Sequence, residues 1–379
     1  MVTYRRATAS DRAKILDFIN MVFSMTVRPH DFSTLIPKVY GPGRGLAEIH
    51  CIALDDNDAV RGVVAALPQE IHILDQTLRT AFVGSVSVHP YARGEGHMKA
   101  LMTMMIDDEQ ARGADLIALG GQRQRYQYFG LTPGGSGITY MITRANLRHT
   151  AGDLDVSGFS FLPMHGAPAS LSDAAWALHE AQSVRMERPR ESFESILENW
   201  QSTPYILEKD GAFAGYLTAS GDGEGLGELR LVDAKDLRAA LKAWFAFRQI
   251  PRLSMTVPVY DLALNRELKA IAESFHLSTT QRVRVFNFPN VIRAYLALNA
   301  ALRPIADGEL SLWIDGQPLT ARVERGAVTV TETAPTGAAH LTAMEAQERL
   351  FSPLAAFDGP FAPSGWLPLP LFIGAPDEF

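Results

Sequence analysis

The sequence predicts an α/β (α+β) protein in which mixed sheets flanked by helices recur along the chain. Three stretches carry this reading. Residues 83–88 form a β-branched run broken only by small residues. They lead through a glycine-rich turn into a helix on which Met98, Leu101, Met102, Met105 and Ile106 share one face. A second strand–helix–strand set follows at residues 212–259. A third stretch, near residues 310–330, alternates apolar and polar positions, with turns at Asp315-Gly316 and Arg325-Gly326.

At 379 residues the chain exceeds one typical domain, and two or three are expected. Its 47% hydrophobic and 20% charged residues are those of an ordinary globular protein. The single cysteine, Cys51, excludes a disulfide framework within the chain and a cysteine-based zinc site. It lies in the apolar run 49–54 and reads as core. The net charge of −7 weighs against a nucleic-acid partner, which wants a basic face, and is compatible with a cationic substrate. No apolar run approaches the ~18–20 residues of a membrane span, and the first six residues form no apolar signal region. The expectation is a cytoplasmic protein without a membrane partner. The ten histidines show no ligand spacing, so no metal is expected.

The turn at residues 90–96 frees backbone N–H groups at the start of the following helix, and Gly94 and Gly96 add no side-chain bulk. Such a helix start holds a phosphate group well. What the turn lacks narrows the ligand. No Gly-Lys-Ser/Thr is present for a nucleoside triphosphate and its Mg²⁺, and no Gly-x-Gly-x-x-Gly follows a first strand. What remains is Arg-x-x-Gly, from Arg93 to Gly96, after a Val-x-Val strand. A second short strand at 115–119 then leads to Gly120-Gly121, to Tyr126-x-x-x-Gly130 and to a candidate final strand at 138–142. At the other end, Tyr4-Arg5-Arg6-Ala7-Thr8 precedes a helix start that Ser10 or Asp11 can cap. In order and in motif, residues 3–145 resemble the GNAT acetyltransferase superfamily and its acetyl-coenzyme A loop.

Beyond residue 148 the pattern changes. Residues 149–171 are rich in Gly, Ser, Pro and Ala and read as a connector. A hairpin is expected at 212–219 and 226–232, around glycines 221–225. A helix at 233–248 follows, with Leu237, Leu241, Trp244 and Phe245 on one face, then strands at 253–259 and 283–288. This second GNAT-like unit has no Val-x-Val strand leading into Arg-x-x-Gly, so it is expected to be without cofactor. A helix from Val291, a β-meander, a Thr342–Glu345 capping box and a Pro-rich tail are similar to a sterol-carrier-type domain. Three units in this order resemble the enhanced-intracellular-survival (Eis) family of acetyltransferases. The expected division is 1–148 for the catalytic GNAT domain, 149–289 for the second GNAT-like domain, and 290–379 for the sterol-carrier-like domain, whose C-terminus enters the active site.

The resemblance implies acetyl-coenzyme A as cosubstrate and a hexamer as assembly. It directs the backbone of Val86, Ser87 and Val88 toward the pantetheine. It sets Arg93, Gly94, Glu95, Gly96, His97, Met98 and Lys99 around the pyrophosphate, with Gly121 and Gln122 as a further contact. It also has Tyr126 facing the terminal carboxylate of Phe379. The chemistry needs both. An amine with a pKa around 10 is only about one part in a thousand neutral near pH 7, and a thiolate leaving group with a pKa near ~8.5 gains from a proton donor. Tyr126 is the natural donor, with Tyr128 the local rival, and the Phe379 carboxylate is the natural base, directly or through water. Three features depart from the pattern. Glu95 puts a negative charge in the phosphate turn and must point outward. Met98 stands where a small residue is usual. Arg123 and Arg125 would repel a polycation if they faced the amine pocket. The implied acceptor is a primary amine of a small polycation, aminoglycoside- or polyamine-like, or a lysine side chain. The other reading left open is a non-catalytic protein that senses coenzyme A or carries a lipid.

Overall fold

Residues 2–25, 28–355, 357, 359 and 361–379 are described by a computed structural model, with the side chains of Leu46 and Arg123 outside that description. The chain divides into two units. The first holds residues 1–134, 281–369 and 378–379, and the second residues 135–280 and 370–377.

The first unit is built on a mixed sheet. Its strands run in the order Thr3–Arg6, His50–Leu54, Val60–Ile73, Gln76–Val88, Leu116–Leu119, Gln281–Val285, Thr132–Gly134. Neighbours are antiparallel except Gln76–Val88 and Leu116–Leu119, which run parallel. Cys51, Val64, Ala66, Ala81, Ile117 and Leu119 cluster with Leu101, Met102, Met105 and Ile106 of the helix His97–Ala111, all buried. This is the apolar stripe the sequence predicts. At the sheet's first strand Arg6 reaches Asp108 and Glu109 of the same helix, at 2.7 and 3.1 Å. Asp11 serves a capping box with Thr8 and takes the Arg5 guanidinium.

The same unit contains a smaller sheet in the order Ala327–Thr331, Gln317–Glu324, Gly308–Ile314, Ala339–Leu341. The helix Phe288–Leu302 precedes it, and the helix Ala343–Phe351 follows, opened by the expected Thr342–Glu345 capping box. Buried Gln347 on that second helix accepts from the Val285 N–H at 2.8 Å and donates to Thr132 Oγ1 at 3.0 Å. One amide thus ties the helix to two strands of the larger sheet.

The second unit has a seven-stranded sheet in the order Ser274–Ser278, Gly137–Thr143, Arg252–Pro258, Gly225–Leu231, Ala212–Ala219, Thr203–Lys209, Phe159–Pro163. Trp244 on the helix Leu237–Arg248 is fully buried in its core beside Phe161 and Tyr205. The hairpin around glycines 221–225 forms as expected.

Two expectations are corrected. The strand at 138–142 does not complete the first sheet. Gly137–Thr143 pairs with Arg252–Pro258 and Ser274–Ser278 in the second unit, and Gln281–Val285 takes the vacant place in the first. Local alternation is the same for either sheet, so the sequence names the strand but not its partner. Gly134 makes the substitution possible, because a Cβ there would overlap Val283 of the incoming strand. The stretch 149–171 is also more than a connector, since it contains the edge strand Phe159–Pro163. Phe161 is what the composition hides: it is buried against Trp244, with ring centroids 5.1 Å apart.

Candidate active site

The site begins with an irregularity in a strand. Along the pair Val60–Ile73 and Gln76–Val88, Val63 faces Ser87 while Ala65 faces Gly84, so one extra residue is accommodated on the second strand. Ser85 absorbs it at φ 50°, a left-handed conformation uncommon for serine. On the other side, the parallel ladder runs from Thr80–Leu116 to Val83–Leu119 and ends there. The backbone of Val86, Ser87 and Val88 then borders a cavity of about 750 Å³.

The far wall of that cavity is the turn and helix start. Arg93, Gly94, Gly96, His97, Met98 and Lys99 all line it. Gly94 and Gly96 have φ of 88° and 86°, and no side chain caps the helix His97–Ala111. Its first N–H groups therefore remain available to a ligand. Glu95 is not among the described residues lining the cavity. Its side chain is exposed and accepts from His97 Nε2 at 3.1 Å, while His97 Nδ1 takes the Tyr4 hydroxyl at 2.8 Å. The acidic charge in the turn is thus turned away and partnered. Arg125 and Tyr128 also line the cavity, and Lys99 Nζ stands 5.3 Å from the Tyr128 ring centre. Arg125 therefore shares a cavity wall with the turn from Arg93 to Lys99. The fit to a pyrophosphate-bearing ligand rests on three cations, an uncapped helix start and an unpaired strand edge.

Tyr126 ends the short helix Arg123–Tyr126, and its ring, 7% exposed, packs in the cluster of Leu119, Phe129 and Leu131. Burial pushes its phenol above the ordinary tyrosine value, against the pull of Arg125. Gly121, at φ 116°, has a packing reason of its own: a Cβ there would stand 2.9 Å from the Tyr126 ring. Gly121 and Gln122 are exposed and are not among the described residues lining the cavity.

Phe379 is 8% exposed, in the first unit like Tyr126. Its ring stacks on Tyr40, with centroids 6.0 Å apart and 29° between planes, and a Cβ on Gly84 would overlap it. Lys38 Nζ donates to the Glu378 carbonyl, and Gln281 donates to the Glu378 carboxylate at 3.2 Å. Sequence reasoning missed this surrounding set. His50 Nδ1 faces the Ala47 carbonyl at 3.0 Å and so donates, which leaves Nε2 to accept the Tyr40 hydroxyl at 2.8 Å. Ser85 then donates to Tyr40 oxygen at 2.7 Å. Burial holds the Tyr40 phenol far above its ordinary value, so it stays protonated. No motif marks residues 38–50, where Gly41, Pro42, Gly43 and Gly45 read only as a loop. In the second unit, His165, Glu194 and Glu198 bring three ligand-type atoms within 4.8 Å of one another, a grouping their sequence spacing does not reveal.

Residues 3–133 match the family model described as an acetyltransferase (GNAT) domain. No curated protein matches the sequence. Among solved structures, the chain is similar to a conserved protein of unknown function and probable N-acyltransferase from Enterococcus faecalis V583. That match has 15% identity and a TM-score of 0.66, covering 99% of this chain and 98% of that one. It is similar to a GCN5-related N-acetyltransferase from Anabaena variabilis, at 15% identity and TM-score 0.67 over 94% and 93% of the two chains. It is also similar to Eis1 from Mycobacterium abscessus, at 15% identity and TM-score 0.64 over the whole of both. At these identities the likeness is one of fold. Among the described residues, no helix is long and apolar enough to cross a membrane. Residues 3–133 are a GNAT acetyltransferase domain, and through it the protein is an N-acetyltransferase.

Proposed function

We propose that the enzyme moves the acetyl group of acetyl-coenzyme A to a primary amine of a small polycation, aminoglycoside- or polyamine-like, or to a lysine side chain. One observation carries the cosubstrate: an uncapped helix start and the unpaired edge of Val86, Ser87 and Val88 meet in one cavity. At about 750 Å³ it lies in the range of ligand sites, ~300–1,000 Å³. Arg93, Lys99 and Arg125 supply the countercharge, and Gly94 and Gly96 let the backbone approach the phosphates. The thioester supplies an activated acetyl group; the chain's residues manage the protons. As the amine nitrogen bonds to the acetyl carbon and the carbon–sulfur bond breaks, the Phe379 carboxylate takes the amine's proton, directly or through water. Tyr126 gives one to the departing sulfur. The raised phenol keeps Tyr126 protonated at neutral pH, as a donor must be.

By the same resemblance we assign residues 1–148 to the catalytic domain, 149–289 to a GNAT-like domain without cofactor, and 290–379 to a sterol-carrier-like domain, in an Eis-type hexamer. The second helix start supports an empty second domain. There Asp233 already accepts from the Lys235 N–H, so a phosphate would meet a carboxylate. A cavity lined by Phe288, Ile314 and Leu319 measures about 130 Å³, well below the ~300 Å³ at which ligand pockets begin. A lipid would need more room than this cavity offers.

The test is release of free thiol from acetyl-coenzyme A over a panel of polyamines, aminoglycosides and lysine peptides. Amine-dependent release supports the proposal. Binding of acetyl-coenzyme A with no release on any amine would replace it with the sensing protein.

A further inference from the structure

We propose that Gly84, Tyr40 and Lys38 form a seat in the first unit that recognises the chain's own last two residues, and that they are positioning residues for the terminal carboxylate. The purpose of the seat rests on the reading of Phe379 as base; its existence stands on contacts alone.

Chain ends ordinarily fray, because ordering them costs conformational entropy and few contacts repay it. Phe379 is 8% exposed, and contacts of three different chemistries hold residues 378–379. The first is shape. Gly84 lies in the cofactor strand one residue before the bulge, and the Phe379 ring fills the space a Cβ would take. The second is aromatic. Tyr40 offers its face to the Phe379 ring, 6.0 Å between centroids, a geometry that adds to simple burial. The third is polar. The Lys38 side chain is 7% exposed, so its ammonium must be paired, and it donates to the Glu378 carbonyl.

These contacts do more than bury a ring. Tyr40 is itself fixed, giving its proton to His50 and accepting from Ser85. Ser85 is the positive-φ residue that makes the bulge, immediately before Val86. The ring under Phe379 is therefore hydrogen-bonded to the strand that lines the cofactor cavity. The terminal residue is registered against that strand through two side chains. The seat reads residues 378–379: the aromatic ring of Phe379 and the backbone carbonyl before it.

Timed release of Phe379 by carboxypeptidase tests this on the full-length protein, with kcat on the best amine and coenzyme A affinity by calorimetry measured alongside. Wild type should resist. Gly84→Ala should release Phe379 about tenfold faster or more, since release then tracks the opened population, with coenzyme A affinity retained. Lys38→Met should also speed release, and Lys38→Arg, which keeps a donor, should restore resistance. The Lys38 pair decides the matter if Gly84→Ala fails to fold. Release at the wild-type rate in the variants overturns the seat, whatever happens to kcat. Faster release with unchanged kcat keeps the seat and removes Phe379 from the chemistry instead.

Discussion

Arg188 clamps the Glu228 carboxylate with two hydrogen bonds, 2.9 and 2.8 Å, inside the second unit, where both side chains are buried. Two more of its N–H groups donate to Asp377 at 2.9 and 2.8 Å, and Tyr216 donates to Glu228. Such a cluster is safe only when complete, because each charge has lost its water.

Removing the centre should therefore be costly. Arg188→Met removes the guanidinium that bonds both buried carboxylates and leaves Glu228 only the charge of Arg230, so a loss of about 3–5 kcal/mol is expected, read as a lower denaturant midpoint. Acid should act on the same cluster. Burial alone would raise the Glu228 carboxyl, yet Arg188 overcomes this and holds it well below the ordinary value. A carboxyl depressed in the folded state stabilises above its unfolded pKa, ~4.3, and that stability is lost as pH falls toward the folded value. Wild type should lose melting temperature below about pH 4 more steeply than Glu228→Gln does. Parallel acid profiles for the two would show that the cluster carries no such linkage.

At the proposed phosphate turn the critical atom is one that is missing. Gly96 caps its helix at φ 86°, with open space where a Cβ would stand. Gly96→Val brings backbone strain of ~1–2 kcal/mol, because the left-handed region is hostile to a β-branched side chain. To relieve it, the turn must rotate its N–H groups off the phosphate. Coenzyme A binding should disappear by calorimetry while the melting temperature drops only a few degrees. An unchanged dissociation constant would remove this turn from the cofactor site.

Arg125 distinguishes two pockets. If its guanidinium serves the cofactor, as the shared cavity wall indicates, Arg125→Ala should weaken coenzyme A about three- to tenfold. The deficit should shrink at high salt, where exposed charge pairs are screened. KM for a polycationic amine should stay level. A fall in amine KM with cofactor affinity intact would place Arg125 beside the acceptor.

The parts legible in sequence were those set by near neighbours. The Val-x-Val strand, the turn at Gly94 and Gly96, and the stripe Leu101, Met102, Met105, Ile106 are local patterns, and the fold realises all of them. The exchange of strands Gly137–Thr143 and Gln281–Val285 depends on pairing across more than a hundred residues, which alternation does not encode. Lys38, Tyr40 and His50 were invisible for a related reason. They matter only because the fold brings Ser85 and the last two residues of the chain to them, and none stands in a spacing that signals chemistry.

The proposed mechanism turns on Tyr126 and Phe379. Amidating the terminal carboxylate leaves the Phe379 ring and the Glu378 carbonyl free to keep their contacts with Tyr40 and Lys38, but removes the proposed base. The chemical rate should fall by ~10²-fold or more, as for a lost general base. Coenzyme A affinity should hardly change, because the turn from Gly94 to Lys99 is untouched. Appending a few residues after Phe379 should act on the rate in the same direction. Tyr126→Phe should bring a similar loss and change the pH profile in a defined way. Burial raises the phenol pKa, so in wild type the donor is present at neutral pH and is lost only above the ordinary tyrosine range. That descending alkaline limb should vanish in Tyr126→Phe, while the ascending limb set by amine deprotonation remains. Combined, the tail change and Tyr126→Phe should cost less than the sum of their separate effects, because two groups serving one proton transfer act as a unit. Full additivity would separate their roles. Full turnover by an amidated or tail-extended enzyme would exclude the terminal carboxylate and leave the base to be sought among acidic side chains of the first unit.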